Sequence, residues 1–115
     1  MSSPFEGLLS TLIRQRGVVG CMVVGERDGI IVDANVQVGV QGSAVAALAA
    51  ALYHKARLCS QSAGLGSVTF LQLQAERGHI CAAGRDELVI VVVADSRAHV
   101  GPMRAAMLQS LEALR

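Results

Sequence analysis

Apolar and polar positions follow two rhythms along this chain, and the places where the rhythm changes mark its elements. In Ser3–Arg16, Phe5, Leu8, Leu9, Leu12 and Ile13 recur at three- and four-residue intervals, the period of one helix face. Ser3 is placed to cap that helix, Pro4 suits its first position, Glu6 would complete a capping box, and Gly17 ends it. Gly7 within it costs about 1 kcal/mol relative to alanine. Val18–Gly25 is apolar at both parities, as a strand covered on both faces must be. Ile30–Asn35 alternates instead, with Ile30, Val32 and Ala34 opposite Ile31, Asp33 and Asn35, the pattern of a strand nearer an edge. Between them Glu26-Arg27-Asp28-Gly29 carries the Asp-Gly signal of a hairpin, since a tight turn needs positive φ.

A glycine-bearing connection, 36–42, leads to the longest periodic stretch, Ser43–Ser62, a helix of roughly five turns. Ser43 is its expected N-cap, and Gly64 sits where a left-handed residue closes a helix. Val45, Leu48, Ala49, Leu52, Ala56 and Cys59 form one apolar stripe, expected to pack on the core. The other side is not polar either: it holds Ala44, Ala47, Ala51 and Leu58, with Ala50, His54, Arg57 and Gln61 beside them. A helix apolar on both sides needs two covers or leaves an exposed patch. A chain this short supplies one, so a second molecule is expected to supply the other.

Strand patterns return at Ser67–Gln74, with Leu71 and Leu73 alternating with Gln72 and Gln74, at His79–Ala83, and at Glu87–Ala94, the most apolar of all. Glu76-Arg77-Gly78 and Gly84-Arg85-Asp86 are the expected turns. The last helix spans Val100–Leu114, with Pro102 in its first turn and Met103, Ala106, Met107, Leu111 and Leu114 on one face. The order α-β-β-α-β-β-β-α, with two strands apolar on both faces, requires layers above and below one antiparallel sheet. The expected fold is therefore α/β (α+β): a three-layer α/β/α sandwich with five strands, in one domain covering 1–115.

Composition sharpens this. At 115 residues the chain buries roughly two-thirds of its extended-chain surface. A hydrophobic fraction of 52% against 17% charged is high for a single small domain, and mean hydropathy is +0.48. No apolar run approaches the roughly 20 residues that span a bilayer. Met1-Ser2-Ser3-Pro4-Phe5-Glu6 lacks the basic and apolar regions of a secretory leader. The surplus apolarity thus points to self-association. A net charge of +1, no basic run and only three aromatic residues argue against nucleic acid. Cys21, Cys59 and Cys81 lack CxxC spacing, which disfavours disulfides and zinc; structural thiols in a reducing, cytoplasmic compartment are expected.

The chemistry-bearing residues form no catalytic pattern. There is no GxxxxGK[ST] phosphate cradle, so the chain does not resemble a GTPase itself. His79 and His99 are not placed beside a cysteine or serine nucleophile with an orienting acid, and Asp33 and Glu87 read as solvated strand-end carboxylates. No cofactor, metal or catalytic residue is assigned. His54, Lys55 and Arg57 on the central helix read as a solvated rim or as a contact patch for an acidic partner. No motif makes Arg57 an arginine finger for phosphoryl transfer.

Several motifs, taken in order, resemble the Roadblock family of small domains, whose fold is related to profilin-like and longin domains. They are the first helix ending at Arg16-Gly17, Gly20-x-Met22-Val23-Val24, and Asp28-Gly29-Ile30-Ile31-Val32-Asp33-Ala34. The alanine-rich helix, Leu88-Val89-Ile90-Val91-Val92-Val93, and Val100-Gly101-x-x-Arg104 follow, and the resemblance spans nearly the whole chain. It implies a homodimer, or a heterodimer of like domains, with the second helices against each other and edge strands able to extend the sheet. It also implies a non-enzymatic regulator or scaffold for a Ras-like small GTPase docked on the paired helices. Two alternatives are an assembly module, such as a motor light chain, without effect on nucleotide turnover, and a domain binding a small apolar ligand. The expected interface residues are Ala47, Ala50, Ala51, His54, Arg57, Leu58, Leu71 and Leu73, and Ala51→Glu is expected to weaken pairing by burying an unpaired carboxylate.

Overall fold

The computed structural model of the chain describes residues 4–37 and 39–112. In order, its elements are α1 (Glu6–Ile13), β1 (Val18–Gly25), β2 (Ile31–Val36), α2 (Gly42–Ser62), β3 (Leu71–Ala75), β4 (Gly78–Arg85), β5 (Leu88–Asp95) and α3 (Val100–Glu112). The five strands form one antiparallel sheet in the order β2-β1-β5-β4-β3. α1 and α3 cover one face, over Cys21, Val23, Cys81, Ile90 and Val92; α2 alone lies on the other, over Met22, Val24, Ala82, Val89 and Val91. This is the expected three-layer sandwich, with β1 and β5 at its buried centre.

Several boundaries shift, each for a local reason. Ser3, the expected cap, and Leu114 lie outside the described residues, as does position 38 of the connection. α1 starts at Glu6, with no side-chain cap at Phe5, and ends at Ile13. Gln15 and Val18 then bond back over three residues and tighten the chain into β1. Ser43 lies inside α2, whose N-cap, Gln41, makes no side-chain bond. β2 keeps its expected alternation over Ile31–Ala34, half-buried against exposed, and departs from it only at the exposed Asn35, while a register slip between Val23 and Val24 leaves Val32 without a partner in a β-bulge.

Two glycines explain most of the remaining differences. Gly84, expected in a turn, is inside β4, and the two-residue turn is Asp86-Glu87, with φ of 51° and 67°. A Cβ on Gly84 would lie 2.7 Å from the Tyr53 ring, so the glycine makes room for that ring. The Tyr53 hydroxyl donates to Val68 O at 3.4 Å, and Ser67–Phe70 stays off the sheet where a longer β3 was expected. Gly29 serves as a turn residue (φ 68°) and lets the hairpin tip touch α2, since its Cβ would stand 2.9 Å from Ala47 Cα.

The largest correction concerns α2. The residues on the sheet are Ala46, Ala49, Ala50 and Tyr53, whereas Leu48 is 72% and Leu52 40% exposed. Only Ala49 of the expected core stripe is buried; Cys59 is exposed as well. The helix lies about a quarter-turn away from its most hydrophobic stripe. Three alanines let its backbone sit close on the sheet, and Tyr53 fills the gap that remains.

Gly29→Ala should cost more than Gly64→Ala, although both have positive φ and Gly64 has open space around it. At Gly64 the left-handed conformation costs about 1–2 kcal/mol. At Gly29 displacement of α2 adds about 1–3 kcal/mol. Urea unfolding of the two variants measures the difference.

Candidate functional site

The rotation of α2 gives the helix two outward flanks of different chemistry. On the side of β3, Val45, Leu48 and Leu52 overhang Leu73 and Ile80, which are cross-strand partners, and enclose an apolar groove of about 350 Å³. Leu73 is 40% exposed, and Leu71 is half-buried against the α2 side of the core. The strand beside this groove, Leu71-Gln72-Leu73-Gln74-Ala75, is an edge with no charge, proline or bulge. The opposite edge is guarded: β2 carries the bulge, and Asp33 Oδ1 accepts the Ala34 N–H at 2.9 Å. β3 is thus the edge free to pair with another strand.

On the side of β2, α2 meets the β1–β2 turn. Glu26 N–H donates to Glu87 O at 2.9 Å, which fixes one hairpin to the next. The Glu26 side chain, only 9% exposed, turns inward to α2. Its Oε2 accepts from His54 Nδ1 at 2.8 Å and from Arg57 Nη2 at 2.6 Å. A carboxylate only accepts, so Nδ1 carries the proton, and the 3.4 Å approach of Arg57 Nη2 to it sets two donors side by side. Burial works against the Glu26 charge, but the His54 and Arg57 hydrogen bonds and the Arg57 charge outweigh it and hold the carboxyl below its ordinary value. Arg57 Nε is buried with no partner, a cost the cluster carries.

The expected interface residues therefore divide. Ala50 is 1% exposed beneath the helix and cannot belong to an outward surface. Arg57 is tied to Glu26 and does not project. Ala51 and His54 face the β1–β2 turn, Ala47 meets Gly29 of that turn, Leu58 is exposed, and Leu73 lines the β3 groove, with Leu71 packed against the α2 side of the core. Leu48 and Leu52, missed as surface residues, are the most prominent apolar side chains of the groove. Their signal was present in the sequence but was assigned to the core. Glu26 was missed because nothing in a turn sequence shows that its side chain points inward. Burial pushes the Cys21 and Cys81 thiols up to about 11, which suits structural cysteines. Among the described residues no helix is long and apolar enough to cross a membrane.

The same architecture recurs in solved structures. A Roadblock/LC7 domain from Streptomyces avermitilis superposes with a TM-score of 0.87 at 17% identity, over 98% of this chain and 96% of that one. The fold is that of a Roadblock/LC7 domain. The gliding protein MglB of Thermus thermophilus matches with a TM-score of 0.84 at 17% identity, covering 99% of this chain and 90% of its own. An MglB with tetrameric arrangement matches with a TM-score of 0.86 at 17% identity, over 99% of this chain and 89% of that one. In sequence, the uncharacterized protein MJ0714 of Methanocaldococcus jannaschii is 27% identical over 115 residues, spanning 100% of this chain and 97% of its own. MJ1340 of the same organism is 26% identical over 110 residues, 96% of each chain. No protein-family profile matches the chain.

The Glu26 cluster makes a pH prediction. Its folded pKa lies below the unfolded value, so its contribution to stability is complete above about pH 4.3 and is lost as pH falls through the folded value. Glu26→Gln should cost about 1–3 kcal/mol at neutral pH, with the deficit narrowing in acid. Urea titrations from about pH 7 to pH 3 would contradict this if the gap between variant and parent stayed constant.

Proposed function

We propose that this chain is a Roadblock-family regulator or scaffold that acts in the cytoplasm as a homodimer and binds a Ras-like small GTPase without being an enzyme itself. The observation that carries the reading is the apolar groove between α2 and the open β3 edge. A second copy related by a two-fold axis can lay its own α2 flank against Leu48 and Leu52 while the β3 edges meet, which makes one self-complementary patch. The Roadblock fold supports the reading, because the family resemblance implies paired second helices with a GTPase on them. The tetrameric MglB adds that this fold takes part in self-assembly. One observation favours the alternative of an assembly module without effect on turnover: Arg57 is held by Glu26 and supplies no free guanidinium for phosphoryl transfer.

Sedimentation should find a dimer, with Leu52→Glu and Leu48→Glu monomeric. An unpaired carboxylate in such a contact costs about 3–5 kcal/mol, a hundredfold or more in dimer Kd. Ala51→Glu, on the other flank, should leave the dimer intact, reversing the expectation drawn from the sequence. A parent chain that stays monomeric at high concentration would end this reading. GTP hydrolysis by Ras-like GTPases of the source organism, with and without the dimer, separates regulator from assembly module.

A further inference from the structure

Ser67–Gln74 has the pattern of one strand, yet only Leu71–Ala75 joins the sheet. Continuing the register in which Leu71 faces Ala82 would set Phe70 opposite Ala83 and Thr69 opposite Gly84. Ala75 and Gly78 close a two-residue turn as a hydrogen-bonded pair, and every second pair of the ladder repeats it, so Thr69 and Gly84 would be bonded too. Cross-strand partners point to the same face with Cβ atoms about 5 Å apart. Thr69 would therefore lie on the α2 face, as Leu71 does, directly beside Gly84. That place is taken. The Tyr53 ring stands there, so close that a Cβ on Gly84 would be 2.7 Å from it, and its hydroxyl donates to Val68 O at 3.4 Å.

The detached segment has room and a pivot. It leaves cavities on both sides of the bare end of β4, about 310 Å³ toward α2 and about 490 Å³ toward α3, and Val68, Gly84 and Arg85 line both. Upstream, Gly66 has positive φ and open space around it, and its carbonyl is held by Ser60 Oγ at 2.7 Å, which fixes that end to α2. Valine, threonine and phenylalanine are strand formers. Phe70 already packs on the α3-side core with Ala83 and would keep its place, whereas Val68 would leave the α2-side core. We infer that Ser67–Phe70 is a strap and Tyr53 its stop. While the ring lies on Gly84 the β3 edge begins at Leu71; when the ring withdraws, Thr69 and Phe70 close onto β4 and lengthen that edge. Tyr53 is one of the four α2 residues buried on the sheet, so the stop moves with the helix, and a load that lifts or turns α2 lengthens the edge. The strap stands on this geometry alone; its effect on pairing rests on the proposed function.

The test uses the whole chain, with amide hydrogen exchange read by NMR and assembly by sedimentation. Tyr53→Leu, which removes the part of the ring that lies on Gly84, should slow exchange of the Thr69 amide about tenfold or more. Tyr53→Phe keeps the ring and loses only the hold on Val68 O, so it should slow that amide by less. Loss of a core contact alone speeds exchange, so the direction separates a stop from a merely structural tyrosine. Unchanged or faster exchange in Tyr53→Phe, which preserves the core, overturns the strap whether or not Tyr53→Leu folds. Tyr53→Leu should also tighten the dimer about threefold or more. Slowed exchange at parental dimer affinity overturns the link to pairing. Slowed exchange in a chain that never dimerises ends the proposed function and leaves the strap standing.

Discussion

One helix cannot cover a five-stranded sheet. Four inter-strand spacings make a face roughly 20 Å wide, and a helix with its side chains covers about 10 Å of it. The other face has two helices, α1 and α3, and its core is closed; this face has only α2. α2 takes the centre and covers Leu73 and Ile80 along the β3 side only in part, leaving a groove between them and its own Leu48 and Leu52. The excess hydrophobicity of the chain, the outward leucines of α2 and the groove are three consequences of this shortfall.

Reading α2 correctly requires knowing how close it comes to the sheet. A helical stripe rich in leucine normally faces the core, and that rule placed Leu48 and Leu52 inside. Here Ala46, Ala49 and Ala50 take the sheet side because small residues allow close approach, and one aromatic, Tyr53, supplies the bulk. The two-sided apolarity was legible from the helical pattern of residues 43–62. Which side was which was not, since the moment of an alanine helix is weak and any large residue tips it. The strands fared better: β1 and β5 could be read from unbroken apolar runs and β2 from its alternation, whereas β3 was shortened at Ser67–Phe70, where Val68 O accepts from a tyrosine of another element.

The Glu26 cluster shows where sequence pattern stops. Glu26 lies 28 and 31 positions from its partners, and no periodicity connects a turn residue to a helix that far along the chain. A glutamate beside Asp-Gly reads as ordinary turn polarity until the fold brings α2 over it. Its burial is tolerated because one oxygen has two donors, one of them a permanent cation. The result is mechanical as well as electrostatic. The hairpin tip, the β4–β5 turn and the middle of α2 are bound to one another on the β2 side of the helix.

The two sheet edges complete the argument, because an open edge is a hazard as well as an opportunity. Had both been open, each copy could add to the next without end, and a heterologous sheet would grow into a filament. The chain closes one: Asp33 takes the Ala34 N–H, and the bulge at Val32 breaks the register another strand would need. The other edge, β3, is left plain and is bordered by the apolar groove. Among the described residues, strand pairing and apolar burial are therefore available together on the β3 side, which favours an isologous pair that closes at two copies. A pair closed in this way would leave the opposite flank of each α2 clear, because the groove and the plain edge both lie on the β3 side of the helix.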